Sequence, residues 1–179
     1  MDAREAIATL EATFARRGAP SGGSPAVGVF GNGVPLAPIT AAGFAAVDVK
    51  SPPDGRIGAS CDTIIPYLEP FLDDYARVFL NRLFVGDFDD LAAIVFPRDD
   101  AAALTACQYA SEFLRQGIAP ARPRLILWNL VHGAGPAIDA FNRHQAAALC
   151  ASLADLAGSQ PGTGIAQAQA AERARAEAL

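Results

Sequence analysis

The chain has few of the residues that most often carry chemistry. Its 179 residues include three cysteines, two histidines, one tryptophan and one methionine. The cysteines Cys61, Cys107 and Cys150 are odd in number and far apart, which argues against a disulfide framework. With only His132 and His144, a histidine-built metal cluster has too few ligands. Basic side chains are also scarce: fourteen Lys and Arg face nineteen Asp and Glu, for a formal charge of −5. Only Arg16-Arg17 and Arg122/Arg124 gather positive charge, so no basic face exists for a phosphate backbone, and nucleic acid is excluded as a partner. No run reaches the roughly 18 apolar residues that span a bilayer, which excludes a membrane span. The segment MDAREAIATLEATFARRG reads as a helix of mixed charge without the apolar centre of a secretory signal. These absences point to the cytoplasm.

What is present is apolar residues in short, evenly spaced runs. At 51% hydrophobic and 18% charged, the chain is able to bury one core of α/β size. Apolar spacing predicts an N-terminal helix over 3–17, and residues 19–25 form a linker rich in Gly, Ser and Pro. The same reading gives strand 26–30, helix 34–42 and strand 44–49, then a polar loop over 50–60. An irregular helical stretch follows, with a firm helix from about Pro70 to Leu83. Strand 91–96, helix 100–115, strand 124–130 and helix 136–156 complete the alternation. An Ala-rich helix is expected over 163–179. Strands alternating with helices through short connections predict an α/β fold, a three-layer doubly wound sheet of about four parallel strands of Rossmann or flavodoxin-like type. The expected organisation is a helix and linker over 1–20, one α/β domain over 24–158, and a helical tail over 159–179.

Ligands of such sheets sit at the carboxyl ends of the strands. That edge is expected to gather Gly31-Asn32-Gly33, the loop at 50–60, Pro97–Asp100 and Asn129–Gly135. Gly31, Asn32 and Gly33 open a helix after a strand, so they form either a tight turn needing positive φ or an amide cradle for an anion. Leu36 stands where a full dinucleotide fingerprint has its third glycine. Asn129, His132, Gly133 and Gly135 make a second loop whose histidine serves as acid, base or ligand, or simply as a hydrogen-bonding loop residue. Asp99 and Asp100 read as a helix cap or, in the alternative, as a carboxylate site for a divalent ion. Cys107 and Cys150 fall on helix faces and read as small hydrophobes. Cys61, in a loop toward the site edge, is a remote candidate nucleophile or ligand.

Val27-Gly-Val-Phe-Gly-Asn-Gly-Val-Pro35, then Ala41-Ala-Gly43-Phe44 and a strand ending near Val47, resembles the opening of the 2-hydroxyacyl-CoA dehydratase and benzoyl-CoA reductase type subunits. Leu83–Gly86, Leu91–Pro97 and the helix beyond are similar to that family's next unit, and the resemblance covers residues 26–157. It implies a lyase-type relative of acyl-CoA chemistry whose subunits hold a 4Fe-4S cluster on three cysteines. The positions that match those cysteines differ here. Near Phe71–Asp74 there is none and Cys61 lies upstream, Asp99 and Asp100 stand at the second position, and the third comes from a further α/β domain. Ala37 replaces the glutamate of the family motif.

Carboxylates are poor substitutes for thiolates on iron–sulfur clusters. The leading expectation is therefore a non-catalytic or truncated relative, with no cofactor in the isolated chain, acting as a binding or assembly partner. It would form a homo- or hetero-oligomer with a family subunit and bind acyl-CoA. Two alternatives stand beside it. One is a small enzyme taking a CoA- or nucleotide-like ligand at the Gly31–Gly33 and His132–Gly135 loops. The other is a structural module that oligomerises through its Ala-rich helices.

Overall fold

The computed structural model describes residues 2, 4–5, 25–50, 64–118, 123–160, 162 and 164–177. Most of the expected N-terminal helix and its linker, the loop at 51–60, Cys61 and residues 119–122 lie outside them. Four strands and five helices alternate along the rest: β1 (Ala26–Val29), α1 (Leu36–Ala41), β2 (Ala45–Asp48), α2 (Asp74–Phe84), β3 (Leu91–Pro97), α3 (Ala101–Gln116), β4 (Arg124–Trp128), α4 (Pro136–Ala157) and α5 (Ile165–Glu177). The strands form one sheet in the order β2-β1-β3-β4, and every pair is parallel. This is the doubly wound α/β fold of flavodoxin-like type that the alternation predicts.

A parallel sheet flanked by helices is buried on both faces, and its central strands then read as unbroken apolar runs. All four residues of β1 are buried, and so are six of the seven in β3. On one face Phe30, Ile94 and Phe96 meet Ala76, Phe79, Leu80 and Leu83 of α2 and Ala103, Ala106, Ala110 and Phe113 of α3. On the other, Val27, Val29, Ala93 and Val95 meet Ile39 of α1 and Leu149 and Leu153 of α4. The register between β1 and β3 slips once, since Ala26 pairs with Leu91 but Val27 with Ala93. The extra residue, Ala92, therefore turns to the same face as Ala93.

Phe79 holds the first face together. Its ring lies 5.3 Å from Phe30, 5.4 Å from Phe96 and 5.2 Å from Phe88, edge-on to the first two and stacked on the third. Such pairs add to the burial term. Beneath it, Gly28 is required by space: a Cβ there would come within 2.8 Å of Val49 Cγ1 and 3.0 Å of Ile94 Cγ1.

Several boundaries differ from the sequence expectation for local reasons. Helix α1 starts at Leu36 rather than Val34, because Pro35 is extended, at φ −69° and ψ 123°. Helix α2 starts at Asp74 rather than Pro70. Asp73 caps it, its carboxylate accepting from the amides of Tyr75 and Ala76. Before that cap the chain makes a short 3-10 turn at Ile65–Tyr67, and Arg77 donates to the carbonyls of Glu69, Pro70 and Leu72. The turn throws Phe71 outward, 82% exposed, where helical spacing from Leu68 places it inward. In α3 the buried positions are mostly alanines, and Leu104 and Leu114 are only half-buried.

The long α4 begins with Pro136 in its first turn and ends at Gly158, in the left-handed region at φ 63°. Helix α5 returns over α1, where Gly164 comes close to Ala41. Among the described residues no helix is long and apolar enough to cross a membrane. Phe79→Ala should lower unfolding free energy by about 3–5 kcal/mol. Urea titration of both proteins measures the difference, and a loss under about 1 kcal/mol would contradict the central place given to this ring.

Candidate functional site

Strands β1 and β3 are neighbours, yet the chain leaves them in opposite directions, to β2 and to β4. This is the switch point of the sheet, where a crevice opens beyond the strand ends. Phe30–Pro35 follows β1, Arg98–Asp100 follows β3, Val49-Lys50 follows β2 and Asn129–Gly135 follows β4.

The crevice is bridged by a salt link. Lys50 Nζ donates to Asp100 Oδ2 at 2.5 Å, and each side chain is 24% exposed. The other oxygen of Asp100 accepts from the amide of Ala103 at 3.1 Å and so caps α3. Lys50 is also seated over two rings, with Nζ 5.5 Å from the Phe30 centroid and 5.0 Å from that of Tyr75. One carboxylate thus ties the end of β2 to the start of α3 across the ends of β1 and β3. Burial alone would push the Asp100 carboxyl up. The Lys50 bond, the Ala103 and Ala102 amides and the charge of Lys50 outweigh it and hold the pKa below the ordinary value.

The Gly31-Asn32-Gly33 turn fits around this link. Gly31 sits at φ 72°, and a Cβ on it would meet Lys50 Cδ at 2.9 Å, so conformation and space both require glycine. Its amide donates back to the Val29 carbonyl at 3.1 Å. Gly33 sits at φ 94°, its carbonyl accepting from Trp128 Nε1 at 3.0 Å. Asn32 is exposed. The helix that follows has six residues and a proline, Pro38, in its first turn. It offers few free amides to an anion.

On the β4 side, His132 Nε2 lies 3.1 Å from Asp99 Oδ2, with the two side chains 75% and 47% exposed. A carboxylate on one ring nitrogen orients an imidazole and leaves Nδ1 for another partner. Asn142 of α4 fixes this loop, bonding both the amide and the carbonyl of Val131 at 3.0 Å. Gly133 and Gly135 lie in the same loop, Gly133 exposed and Gly135 half-buried before α4. The side-chain oxygen of Asn129 is buried and receives no hydrogen bond among the described residues.

The edge therefore holds Gly31, Gly33, Asp99, Asp100, Asn129 and His132, together with Lys50, Tyr75 and Trp128, which sequence reasoning did not single out. Position was the available signal for Lys50, since it follows a strand of a parallel sheet. Cys107 is buried on the inner face of α3 and Cys150 is half-buried on α4, and burial pushes both thiols up. His144 is exposed on α4. Among the described residues no three His, Cys, Asp or Glu side chains converge to hold a metal ion.

No protein-family model matches the chain, and no curated protein is significantly similar to it. The class is thus set by the fold alone: a doubly wound α/β domain with an ion-paired switch point.

Replacing Asp100 by Ala should cost about 1–2 kcal/mol of unfolding free energy at neutral pH, through loss of the cap and the link. The folded pKa of Asp100 is depressed, so its stabilisation is present above the ordinary carboxylate range and is lost as pH falls through the folded value. The gap between wild type and Asp100→Ala in urea unfolding should accordingly narrow on acidification. A gap independent of pH would contradict the assignment.

Proposed function

We propose that the chain is a relative of the 2-hydroxyacyl-CoA dehydratase subunits whose α/β domain corresponds to their first. It acts as a binding or assembly partner of a family subunit and does not itself carry a 4Fe-4S cluster. The observation that supports this reading is the use made of Asp100. At a position where the resembled family has a thiolate ligand, this chain has a carboxylate engaged on both oxygens, one with Lys50 and one with the first turn of α3. A residue so employed braces the scaffold, and hard oxygen donors suit iron–sulfur clusters poorly. The return of α5 over α1 agrees with a domain whose outer layer is covered by a helix of the same chain.

The unpartnered oxygen of Asn129 favours a second reading, in which the β4-side loop holds a small acyl-CoA or nucleotide through Asn129 and His132. A buried acceptor without a donor is rare in folded proteins, and a ligand donor would satisfy it.

Anaerobic reconstitution with iron and sulfide, followed by metal analysis, tests the first reading. Substoichiometric iron that washes out on gel filtration is expected, and a stoichiometric cluster on the full chain would overturn it. Thermal shift with acyl-CoAs and nucleotides on the same preparation tests the second. A stabilisation abolished by Asn129→Ala would establish it, and no shift with any of them would remove it.

A further inference from the structure

Strand β4 has β3 on one side and, among the described residues, no strand on the other. Among the described residues its outer edge carries few of the usual protections of an open strand. Arg124 is its one charged residue, no proline interrupts it, and Leu127 is 41% exposed. Leu125 and Ile126 are half-buried, and Val131 beyond the strand is 40% exposed. An apolar edge of this kind is a template for another strand.

The backbone register identifies which strand. The carbonyl of Trp128 accepts from the Arg98 amide at 2.8 Å, so Trp128 directs its backbone groups toward β3. Direction alternates along a strand, so Arg124, Ile126 and Trp128 bond inward while Leu125 and Leu127 turn their N–H and C=O groups to the open edge. The run Leu125-Ile126-Leu127 is symmetric about its centre. An antiparallel copy related by a two-fold axis at Ile126 sets Leu125 opposite Leu127 twice, and in both cases the outward groups of the two residues face each other. Those are hydrogen-bonded pairs, each exchanging two bonds, and Ile126 meets its own copy at a non-hydrogen-bonded position.

The side chains agree with this register. Leucines meet leucines on the α3 face, and isoleucine meets isoleucine on the α4 face. At the ends of the run Arg124 is held by Asp155 of α4 at 3.0 Å and Trp128 is buried in its own core, so neither places an unpaired charge at the seam. A parallel or shifted pairing would lose one or other of these matches.

We propose that two copies of this chain pair through β4, antiparallel and centred on Ile126, to form one continuous eight-stranded sheet. The occupant of the open edge is a second copy because the strand is complementary to itself in backbone register and side-chain type. This holds independently of any relationship to dehydratase subunits.

Sedimentation of the full chain over a range of concentrations should show a dimer, and Leu127→Lys, an exposed site, should shift it to monomer with unchanged circular dichroism. Register is tested by Ile126→Cys in a chain carrying Cys61→Ser and Cys150→Ser. Facing Cα atoms at a non-hydrogen-bonded site lie about 4.5 Å apart, within disulfide reach. Mild oxidation should therefore give a covalent dimer. Leu125→Cys in the same background should not cross-link, since its copies are offset by about 7 Å along the strand. A wild type that stays monomeric throughout overturns the proposal. So does a dimer that survives Leu127→Lys without an Ile126→Cys cross-link, because another surface then holds it, and so does efficient cross-linking through Leu125→Cys.

Discussion

A parallel sheet has two apolar faces, and in water both must be covered. That constraint organises this protein more than any single contact. With β1 and β3 at the centre, buried on both sides, the chain has to place helices above and below them. It does so by sending α1 and α4 to one face and α2 and α3 to the other. The change of direction between β1 and β3 follows from that division. The crevice at their carboxyl ends is therefore a consequence of covering the sheet.

What fills the crevice is a matter of charge as well as shape. Three strand ends bring Lys50, Asp99, Asp100 and His132 to one edge of the sheet. The more buried pair, Lys50 and Asp100, closes the switch point and anchors α3. The more exposed pair, His132 and Asp99, is left at the rim. Partly buried ion pairs tolerate the loss of one partner poorly, whereas exposed ones contribute little. The two pairs at the same edge therefore differ in what they contribute to the fold. The open strand β4 lies on the rim side, so an assembly through it would leave the braced pair undisturbed.

The sheet, its four strands and the alternation of helices were legible in the sequence because burial on two faces writes long apolar runs, and glycine or proline punctuates them. Boundaries were less so. Pro35 was read as part of a first turn and instead stays extended, and Phe71 fits a helical period that the Arg77-held turn interrupts. Asp100 was legible as a cap, since an acid before an Ala-rich helix has a local cause. Its partner Lys50 is fifty residues away, and no local pattern encodes that contact. The same holds for Trp128 and Gly33, which are separated by 95 residues and meet only because strand order places β4 beside β3. Gly31 was recognised as a turn residue, but its second requirement, room for the Lys50 stem, exists only in the folded chain.

The central claim is that the Lys50–Asp100 link holds the switch point shut as a structural brace. A double-mutant cycle measures it most directly: urea unfolding of wild type, Lys50→Met, Asp100→Asn and the double variant. The account predicts a favourable coupling energy of about 1 kcal/mol or more between the two side chains. Additive effects within experimental error would contradict it.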